Sequence, residues 1–240
     1  MNRDISIYVG ARKQSRRCPN KMLRPFAGTT LIEICLEKLN SITEYPVFFA
    51  VGERDIEFQD IAQHYSNINI LQRSQQSVDS DDNPRLVFES FKQLPTPEVC
   101  FLNPCHSFLR VETVLKALQC FTQSNIPSLT SVTRRRGWFY GEDKQALTNL
   151  GGNIDSSVSI GLYEVAHAFH LYNWRHMFQT GRYWNNTENN PFLFPIPPEE
   201  GLDIDTENDF TMVEALYKSR LHVQKTKPLS DPLEMTFPAQ

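Results

Sequence analysis

The sequence lacks three features that would assign it to common classes of protein. It has no apolar run long enough to span a bilayer, and residues 1–4 lack the apolar core of a signal peptide, so we expect a cytoplasmic protein with no membrane partner. Its five cysteines are an odd number without a CxxC pair, which favours reduced thiols over a disulfide framework. It contains no GxxxxGKS or GxxxxGKT loop, which excludes a P-loop ATPase.

A strong excess of charge is also missing. The 24 Lys and Arg residues against 28 Asp and Glu residues give a net charge of −4, which argues against a nucleic-acid partner. With 240 residues, of which 40% are hydrophobic and 22% charged, the chain is long and apolar enough for one packed domain. We expect that domain to span residues 1–225 and to be followed by a loosely ordered tail at 226–240.

Short apolar runs alternate with segments of helical periodicity through residue 132. This alternation predicts βαβ units and an α/β fold with a mostly parallel sheet. Thr29 or Thr30 is a suitable N-cap for the first helix. The predicted strands cover residues 5–9, 47–51, 68–71, 99–102 and 128–132, and the predicted helices cover residues 31–39, 55–65, 86–91 and 111–121.

The pattern is less regular over residues 134–198, which are rich in Asn, aromatic and basic residues. A strand is predicted at 158–165 and a short helix at 167–178. We expect this segment to be an excursion that covers an active site or pairs with a second subunit. Regularity returns at 201–210, where a short strand is predicted to feed a helix with Thr206 as N-cap and Asp209 completing a variant capping box.

A basic loop follows the first predicted strand. Residues 11–21 contain five Lys or Arg, together with Ser15 and Asn20 as donors and turn residues. Open α/β sheets bind ligands at the carboxyl ends of their strands, and clustered cations at that position favour a polyphosphate. The alternative is a solvated basic loop.

Asp203 and Asp205 form an acidic pair near the carboxyl end of the predicted domain. Two residues apart on an extended segment, their carboxylates point to the same side and repel each other unless a cation lies between them. Mg²⁺ prefers such oxygens and takes phosphate oxygens and waters as its other ligands. The alternative is that both residues only begin a helix. A basic loop and an acidic pair together suit phosphoryl or nucleotidyl transfer.

Arginine and histidine side chains supply further candidates. Arg134, Arg135 and Arg136 follow a predicted strand and are either a clamp for an acidic acceptor or a charged surface turn. His106 is a candidate general base, although a lone loop histidine is more often exposed or packed. Three further histidines have helical spacing but no ligand frame for zinc, namely His167, His170 and His176.

Both motifs resemble those of one known family. Residues 11–21 are similar to the signature A-R-x-x-S-x-R-x-P-x-K of the cytidylyltransferases that activate acidic sugars, the CMP-N-acylneuraminate synthetases. Residues 203–210, which read D-I-D-T-E-N-D-F, resemble the family's D-I-D-T-x-x-D-F. Arg73 stands where the family has an arginine after its third strand, and 102–104 resembles the start of its L-Q-P-T-S-P. The resemblance spans residues 5–217.

The resemblance implies a Rossmann-like nucleotidyltransferase fold with helices on both faces of the sheet and a small dimerisation excursion. It also implies CTP and an acidic sugar as substrates, release of pyrophosphate, Mg²⁺ as cofactor and a homodimer. Nucleotide-binding residues would be Ala11, Arg12, Ser15, Asn20, Lys21, Arg73 and Asn103. Metal ligands would be Asp203 and Asp205, catalytic residues Arg12, Lys21 and Asp205, and acceptor-binding residues Arg134, Arg135, Arg136 and Tyr163.

The acceptor side departs from the family pattern. Residues 159–163 read S-I-G-L-Y where the family has N-G-A-I-Y, and 105–107 read C-H-S where it has T-S-P. Two alternatives therefore stay open. One is a nucleotide-binding homologue without catalysis, and the other is a cytidylyltransferase for a different anionic acceptor, such as an octulosonate.

Overall fold

A seven-stranded mixed sheet forms the centre of the computed structural model, which describes residues 4–80, 82–148 and 154–226. The strands are β1 (Ile5–Gly10), β2 (Val47–Gly52), β3 (Ile68–Arg73), β4 (Glu98–Leu102), β5 (Ser128–Arg136), β6 (Gly161–Asn173) and β7 (Phe192–Pro195). They lie in the order β3-β2-β1-β4-β6-β5-β7, and β6 alone of these seven runs antiparallel to its neighbours. The carboxyl ends of the other six strands therefore share one edge, where ligands are expected.

Helices cover both faces of this sheet. Within β1, Ile7 and Val9 belong to one buried cluster and Tyr8 to another, because successive side chains of a strand point to opposite faces. None of the helices in the described part of the chain is long and apolar enough to cross a membrane. The helices are α1 (Leu31–Asn40), α2 (Ile56–Ala62), α3 (Gln75–Asp79), α4 (Pro84–Val87), α5 (Val111–Gln123), α6 (Trp174–Thr180) and α7 (Glu207–Thr226), with 3₁₀ turns at Glu89–Gln93 and Ser156–Val158.

The structure confirms the α/β fold class and most of the predicted elements up to β5. Thr30 is the N-cap of α1, since its hydroxyl accepts the N–H of Glu33 at 3.3 Å. The variant capping box at α7 is also confirmed: Asp209 accepts the N–H of Thr206 at 2.8 Å, and Thr206 Oγ1 accepts the N–H of Asp209 at 3.2 Å. The tail expected at 226–240 lies outside the described residues from 227 onward.

Three predictions from β5 onward were wrong in their bounds. The strand predicted at 158–165 and the helix predicted from 167 are instead one strand, β6, followed by the shorter helix α6. Because β6 lies between β4 and β5 and is covered on both faces, its residues 168–172 are all buried and the alternation typical of a strand is lost. Arg134, Arg135 and Arg136 lie within β5 rather than after it.

The helix predicted at 86–91 and the strand predicted before α7 also differ from the structure. The first is divided into α4 and the 3₁₀ turn Glu89–Gln93. Residues 202–205 form no strand, because side chains take their backbone groups. Lys21 donates to the carbonyl of Ile204, and Asp209 accepts the N–H of Asp205 at 3.3 Å. Backbone groups satisfied in this way are not available to a neighbouring strand.

Candidate active site

The basic loop and the acidic pair meet, although they lie more than 180 residues apart in the sequence. Lys21 Nζ donates to the carbonyl oxygen of Ile204 at 2.5 Å and lies 3.4 Å from Asp205 Oδ1. Arg17 Nη2 lies 2.9 Å from the same carboxylate oxygen. Two cations of the basic loop therefore contact the same aspartate, as expected if the basic loop and the acidic pair form one site.

A second contact joins the end of the loop to the start of α7. Arg24 Nη2 lies 2.8 Å from Glu207 Oε2, and its guanidinium stacks 3.6 Å from the ring centroid of Phe210. Phe210 also packs edge-on against Phe26, with 5.3 Å between ring centroids. These contacts fix the relative positions of the two motifs. Neither Arg24 nor Glu207 was singled out from the sequence, because nothing in a sequence shows which distant charges will pair.

The charge of Lys21 is stabilised by its surroundings. Burial opposes the ammonium form, but Cys105 and the carboxylates of Asp205 and Asp203 outweigh that effect, so the pKa of Lys21 lies above its ordinary value. Burial raises the pKa of Cys105 to about 12, so its thiol is neutral at pH 7. The negative charge that favours Lys21 at neutral pH therefore comes from the aspartates.

Asp203 lies deeper than Asp205 and within electrostatic reach of His106. Its Oδ1 is buried and has no hydrogen-bond partner among the described residues, and burial raises the pKa of this carboxyl group. Burial lowers the pKa of His106, whose Nε2 lies 2.9 Å from the carbonyl oxygen of Ala166. A buried carboxylate oxygen without a partner is costly unless a ligand satisfies it.

These oxygens fit a magnesium ion that binds together with a nucleotide. Within residues 4–80, 82–148 and 154–226, no group of three or more His, Cys, Asp or Glu side chains could hold a metal ion. Asp203 and Asp205 supply hard carboxylate oxygens, one of them unsatisfied. Mg²⁺ often takes only one or two protein carboxylates and fills its other positions with water and phosphate oxygens. The donor set suits that mode of binding.

The basic loop also lines a cleft of about 300 Å³. Arg12, Lys13 and Arg16 line it together with Asp55, which precedes α2, and Gln75 of α3. Lys13 also forms an ion pair with Glu57 at the start of α2. The basic loop therefore lines a cleft and also contacts the acidic pair.

The remaining predicted nucleotide residues lie at the same edge of the sheet. Ala11 is buried and donates its N–H to Ala50 of β2 at 3.2 Å. Ser15 is half-buried, and Asn20 is exposed with a positive φ of 53°. Asn103 follows β4, where its Oδ1 accepts the N–H of Cys105 at 3.0 Å.

Arg73 ends β3 and is buried. Its Nε donates to Ser77 Oγ at 3.0 Å and its Nη2 to the Ser77 carbonyl at 2.8 Å, so it holds α3 against the end of β3. Its Nη1 also lies near Gly10 at the end of β1, because a Cβ atom added to that glycine would be 3.8 Å from Arg73 Nη1. The side chain therefore reaches from β3 across to the end of β1.

Arg134, Arg135 and Arg136 are exposed on the part of β5 that pairs with the start of β6. Arg135 Nε lies 2.8 Å from Glu164 Oε2, and Arg136 donates to the carbonyl of Ser157 at 2.8 Å. Tyr163, about half exposed, pairs in register with Arg134. These contacts lie within the β5–β6 hairpin rather than in the Lys21–Asp205 cluster.

Comparison with known proteins identifies the family. The sequence profile described as "Cytidylyltransferase" matches residues 7–139, which is more than half of the chain and includes the whole basic loop. The chain belongs to the cytidylyltransferase family. This cytidylyltransferase is thus a nucleotidyltransferase, as the two motifs predicted. No curated protein sequence matches it significantly.

Solved structures share the fold of this cytidylyltransferase. One is a CMP:2-keto-3-deoxy-manno-octonic acid synthetase complexed with CTP, with 15% identity and a TM-score of 0.63 over 90% of this chain and 99% of that one. Another is the 4-diphosphocytidyl-2C-methyl-D-erythritol synthase of Anaerococcus prevotii, also 15% identical, with a TM-score of 0.64 over 90% of this chain and 97% of that one. At this level of identity the likeness shows the nucleotidyltransferase fold alone.

Proposed function

We propose that this enzyme transfers CMP from CTP to an acidic sugar of the ulosonic type and releases pyrophosphate. The observation that carries the proposal is the convergence of Lys21 and Arg17 on Asp205, which brings the basic loop and the acidic pair into one site. In the reaction, an acceptor hydroxyl oxygen bonds to the α-phosphorus in line, the bond from the α-phosphorus to the bridging oxygen of pyrophosphate breaks, and the hydroxyl proton passes to solvent.

The protein's own residues would act mainly by positioning and neutralising charge. Arg12, Ser15 and Lys21 bind the phosphates of CTP, with Asn20, Asn103 and Arg73 around the nucleotide. Arg17 is two-thirds exposed and can exchange Asp205 for a phosphate when CTP arrives, since guanidinium binds either anion. Preorganised charges of this kind supply most of the catalysis in phosphoryl and nucleotidyl transfer.

Asp203 and Asp205 would hold Mg²⁺. The bound ion would neutralise negative charge on the phosphates during transfer. The buried and unpartnered Oδ1 of Asp203 supports this assignment, because a cation would satisfy it. The cation would also reduce the repulsion between the carboxylates of Asp203 and Asp205.

The acceptor is proposed to be an acid with eight or nine carbons. The resemblance of both motifs to the acylneuraminate cytidylyltransferases supports a nonulosonate, and the fold of the octonic acid synthetase is compatible with an octulosonate. Arg134, Arg135, Arg136 and Tyr163 are proposed as acceptor-binding residues. Because they lie on an exposed hairpin, they would serve a site completed by a second subunit.

We also propose that the same hairpin forms the interface of a homodimer. Residues 134–198 carry large apolar side chains that are exposed in the single chain, and a second copy would cover them. They include Trp138 (47% exposed), Tyr140 (66%), Val158 (62%), Ile160 (66%) and Tyr163 (48%). A cytoplasmic setting, expected from the cysteine usage, completes the proposal.

Release of pyrophosphate from CTP tests the proposed function. The assay contains Mg²⁺, each of the four nucleoside triphosphates in turn, and a panel of acceptors that includes N-acetylneuraminate, 2-keto-3-deoxy-manno-octonic acid and methylerythritol phosphate. We expect release with CTP and at least one sugar acid. Release with none of the acids, together with no CTP binding by calorimetry, contradicts the proposal.

The alternative is a nucleotide-binding protein of this family without catalysis. The altered residues 105–107 and 159–161 favour it. Metal-dependent binding of CTP without turnover on any acceptor of the panel would support it over the enzyme.

A further inference from the structure

A second cleft, of about 250 Å³, lies at the amino end of α5. Its walls come from three separate segments: Lys38 of α1, residues 107–112 around the start of α5, and three residues of α7 between 217 and 221. Residue 217 is ten positions beyond Glu207, where α7 begins at the candidate active site. At about 1.5 Å per residue, this wall lies about 15 Å along the helix from that site, so the two clefts are separate.

The amino end of α5 presents backbone donors to this cleft. Arg110, the N-cap residue, makes no capping bond through its side chain, and its own N–H donates to Glu200 at 3.1 Å. The N–H groups of Val111, Glu112 and Thr113 have no acceptor among the described residues. Unpaired N–H groups and the helix dipole together favour an anion at the amino end of a helix.

The hydroxyl group of Ser107 independently points to a ligand. Ser107 lines the cleft three residues before Arg110 and is only 2% exposed. Its Oγ has no hydrogen-bond partner in the part of the chain that the structure describes. Because a buried hydroxyl without a partner is costly, a bound group that completes its hydrogen bonding explains its presence there.

Lys38 and Arg220 supply the positive charge of the cleft. Lys38 Nζ donates to the carbonyl oxygen of Ser107, the one acceptor found for its three N–H donors among the described residues. Burial lowers the pKa of Lys38 to about 8, and the charge of Arg220 acts in the same direction. The two cations are therefore within electrostatic reach of each other, and an anion between them would stabilise both.

The other polar side chains of the cleft define the chemistry of the ligand. Arg110 offers N–H donors but little net charge, because Glu200 pairs with it at 2.5 Å. Glu112 is exposed and forms no ion pair within the described residues. The hydroxyl groups of Tyr217 and Ser107 can donate. So many donors require a group rich in acceptors, and a phosphate, with three terminal oxygens and a charge near −2, fits better than a carboxylate.

We propose that this second cleft binds the phosphate group of a small molecule, either inorganic phosphate or a phosphate monoester. Lys38, Arg220 and the amino end of α5 hold the phosphate oxygens, and the Ser107 hydroxyl is a further donor. The walls formed by Tyr217 and Leu221 leave space for the organic part of an ester. The site is separate from the one proposed for CTP and does not depend on it.

Amide spectra of the full-length protein locate the binding. Inorganic phosphate and glycerol 3-phosphate are titrated in turn, with and without CTP and Mg²⁺, and ¹H–¹⁵N signals are followed. Val111 and Glu112 report on the second cleft, whereas Ser15 and Asn20 report on the basic loop. We expect saturable shifts at Val111 and Glu112 in both conditions. Tighter binding of glycerol 3-phosphate identifies an ester as the ligand, and equal binding identifies phosphate itself. Shifts confined to the basic loop overturn the proposal.

Three variants and a control test the donors. Arg220→Gln and Lys38→Met each remove a cation and should raise the phosphate dissociation constant at Val111 on the order of tenfold. Ser107→Ala should raise it about threefold without lowering the free energy of unfolding, because the hydroxyl has no partner to lose. Lys116→Gln, at an exposed position of the same helix, should leave it within about twofold. An unchanged dissociation constant in Arg220→Gln or Lys38→Met overturns the proposal.

Discussion

At the scale of single residues, Asp203 and Asp205 carry the largest expected effect on activity. Asp203→Asn and Asp205→Asn each remove a negative charge and leave the basic loop intact. Turnover with CTP should fall by on the order of 10² or more in both variants, the scale lost with one preorganised charge-stabilising group. CTP should still bind, more weakly, because Arg12 and Lys21 remain.

Pyrophosphate release and calorimetric CTP binding measure the two effects separately. Asp60→Asn, an exposed carboxylate on α2, is the matched control and should leave both unchanged. Near-normal turnover in both site variants would reassign the aspartates to the start of α7.

Glu200 is a fully buried carboxylate outside the predicted site. It accepts the N–H of Arg110 at 3.1 Å, the Nε of Arg110 at 2.5 Å and the hydroxyl of Thr113 at 3.1 Å. It thereby joins the loop that carries Asp203 to the start of α5. Glu200→Gln should lower the free energy of unfolding by about 1.5–3 kcal/mol, because charge-assisted bonds inside the protein are lost.

Urea denaturation with an exposed pair as reference checks this expectation. Glu164 and Arg135 form an Arg–Glu pair in which both side chains are more than half exposed. Glu164→Gln should therefore change the free energy of unfolding by no more than about 1 kcal/mol. Equal effects of the two substitutions would show that Glu200 adds nothing beyond a surface pair.

At the scale of elements, α1 carries a lysine that makes stability depend on pH. Burial lowers the pKa of Lys38 to about 8, from an ordinary value of 10.5. Below pH 8 the amine is charged in both states, and folding carries the full cost of burying it. Between pH 8 and 10.5 this amine binds more protons in the unfolded chain, so its own contribution to the free energy of unfolding rises with pH, on the order of 1–3 kcal/mol.

Urea denaturation of Lys38→Met between pH 7 and 10.5 tests that rise. The variant should lose this part of the slope, whereas Lys116→Met, at an exposed position of α5, should keep it. The same slope in Lys38→Met and in the wild type would exclude Lys38 as its source.

The sequence predicted those elements whose burial follows a period. Strands β1 to β4 and helices α1 and α5 carry apolar residues at strand or helix spacing, so their existence and type were accessible. Strand β6 was not, because a strand covered on both faces has no alternation to detect. The register between β5 and β6 is interrupted at Ser131. That interruption depends on which strands become neighbours, and the local sequence pattern does not determine this.

Only part of the candidate site could be predicted from the sequence. Residues 11–21 and the acidic pair are contiguous motifs, so their chemistry could be identified before the fold. His106 meets β6 at the carbonyl of Ala166, and His167 contacts His170 where the register of β5 and β6 is interrupted, so neither contact could be read from the sequence. The helical spacing of His167 and His170 was misleading, since both lie on β6.

At the scale of the whole molecule, we expect a homodimer formed through the β5–β6 hairpin. Ile160→Glu places a charge on its exposed apolar surface, and Ile56→Glu places one at a comparably exposed position on α2 (66% and 54% exposed). Light scattering should give twice the chain mass for the wild type and for Ile56→Glu, and a lower mass for Ile160→Glu. A monomeric wild type, or a dimer unaffected by Ile160→Glu, contradicts this interface.

The transfer of CMP itself is the central claim, and ³¹P NMR of the reaction mixture tests it most directly. Wild-type enzyme is incubated with CTP, Mg²⁺ and each sugar acid, and the phosphorus signals are followed with time. We predict that the three CTP signals disappear as a phosphodiester signal and a pyrophosphate signal of twice its intensity grow, for at least one acid. Persistence of CTP with every acid, or its conversion to CDP and phosphate, would contradict the account.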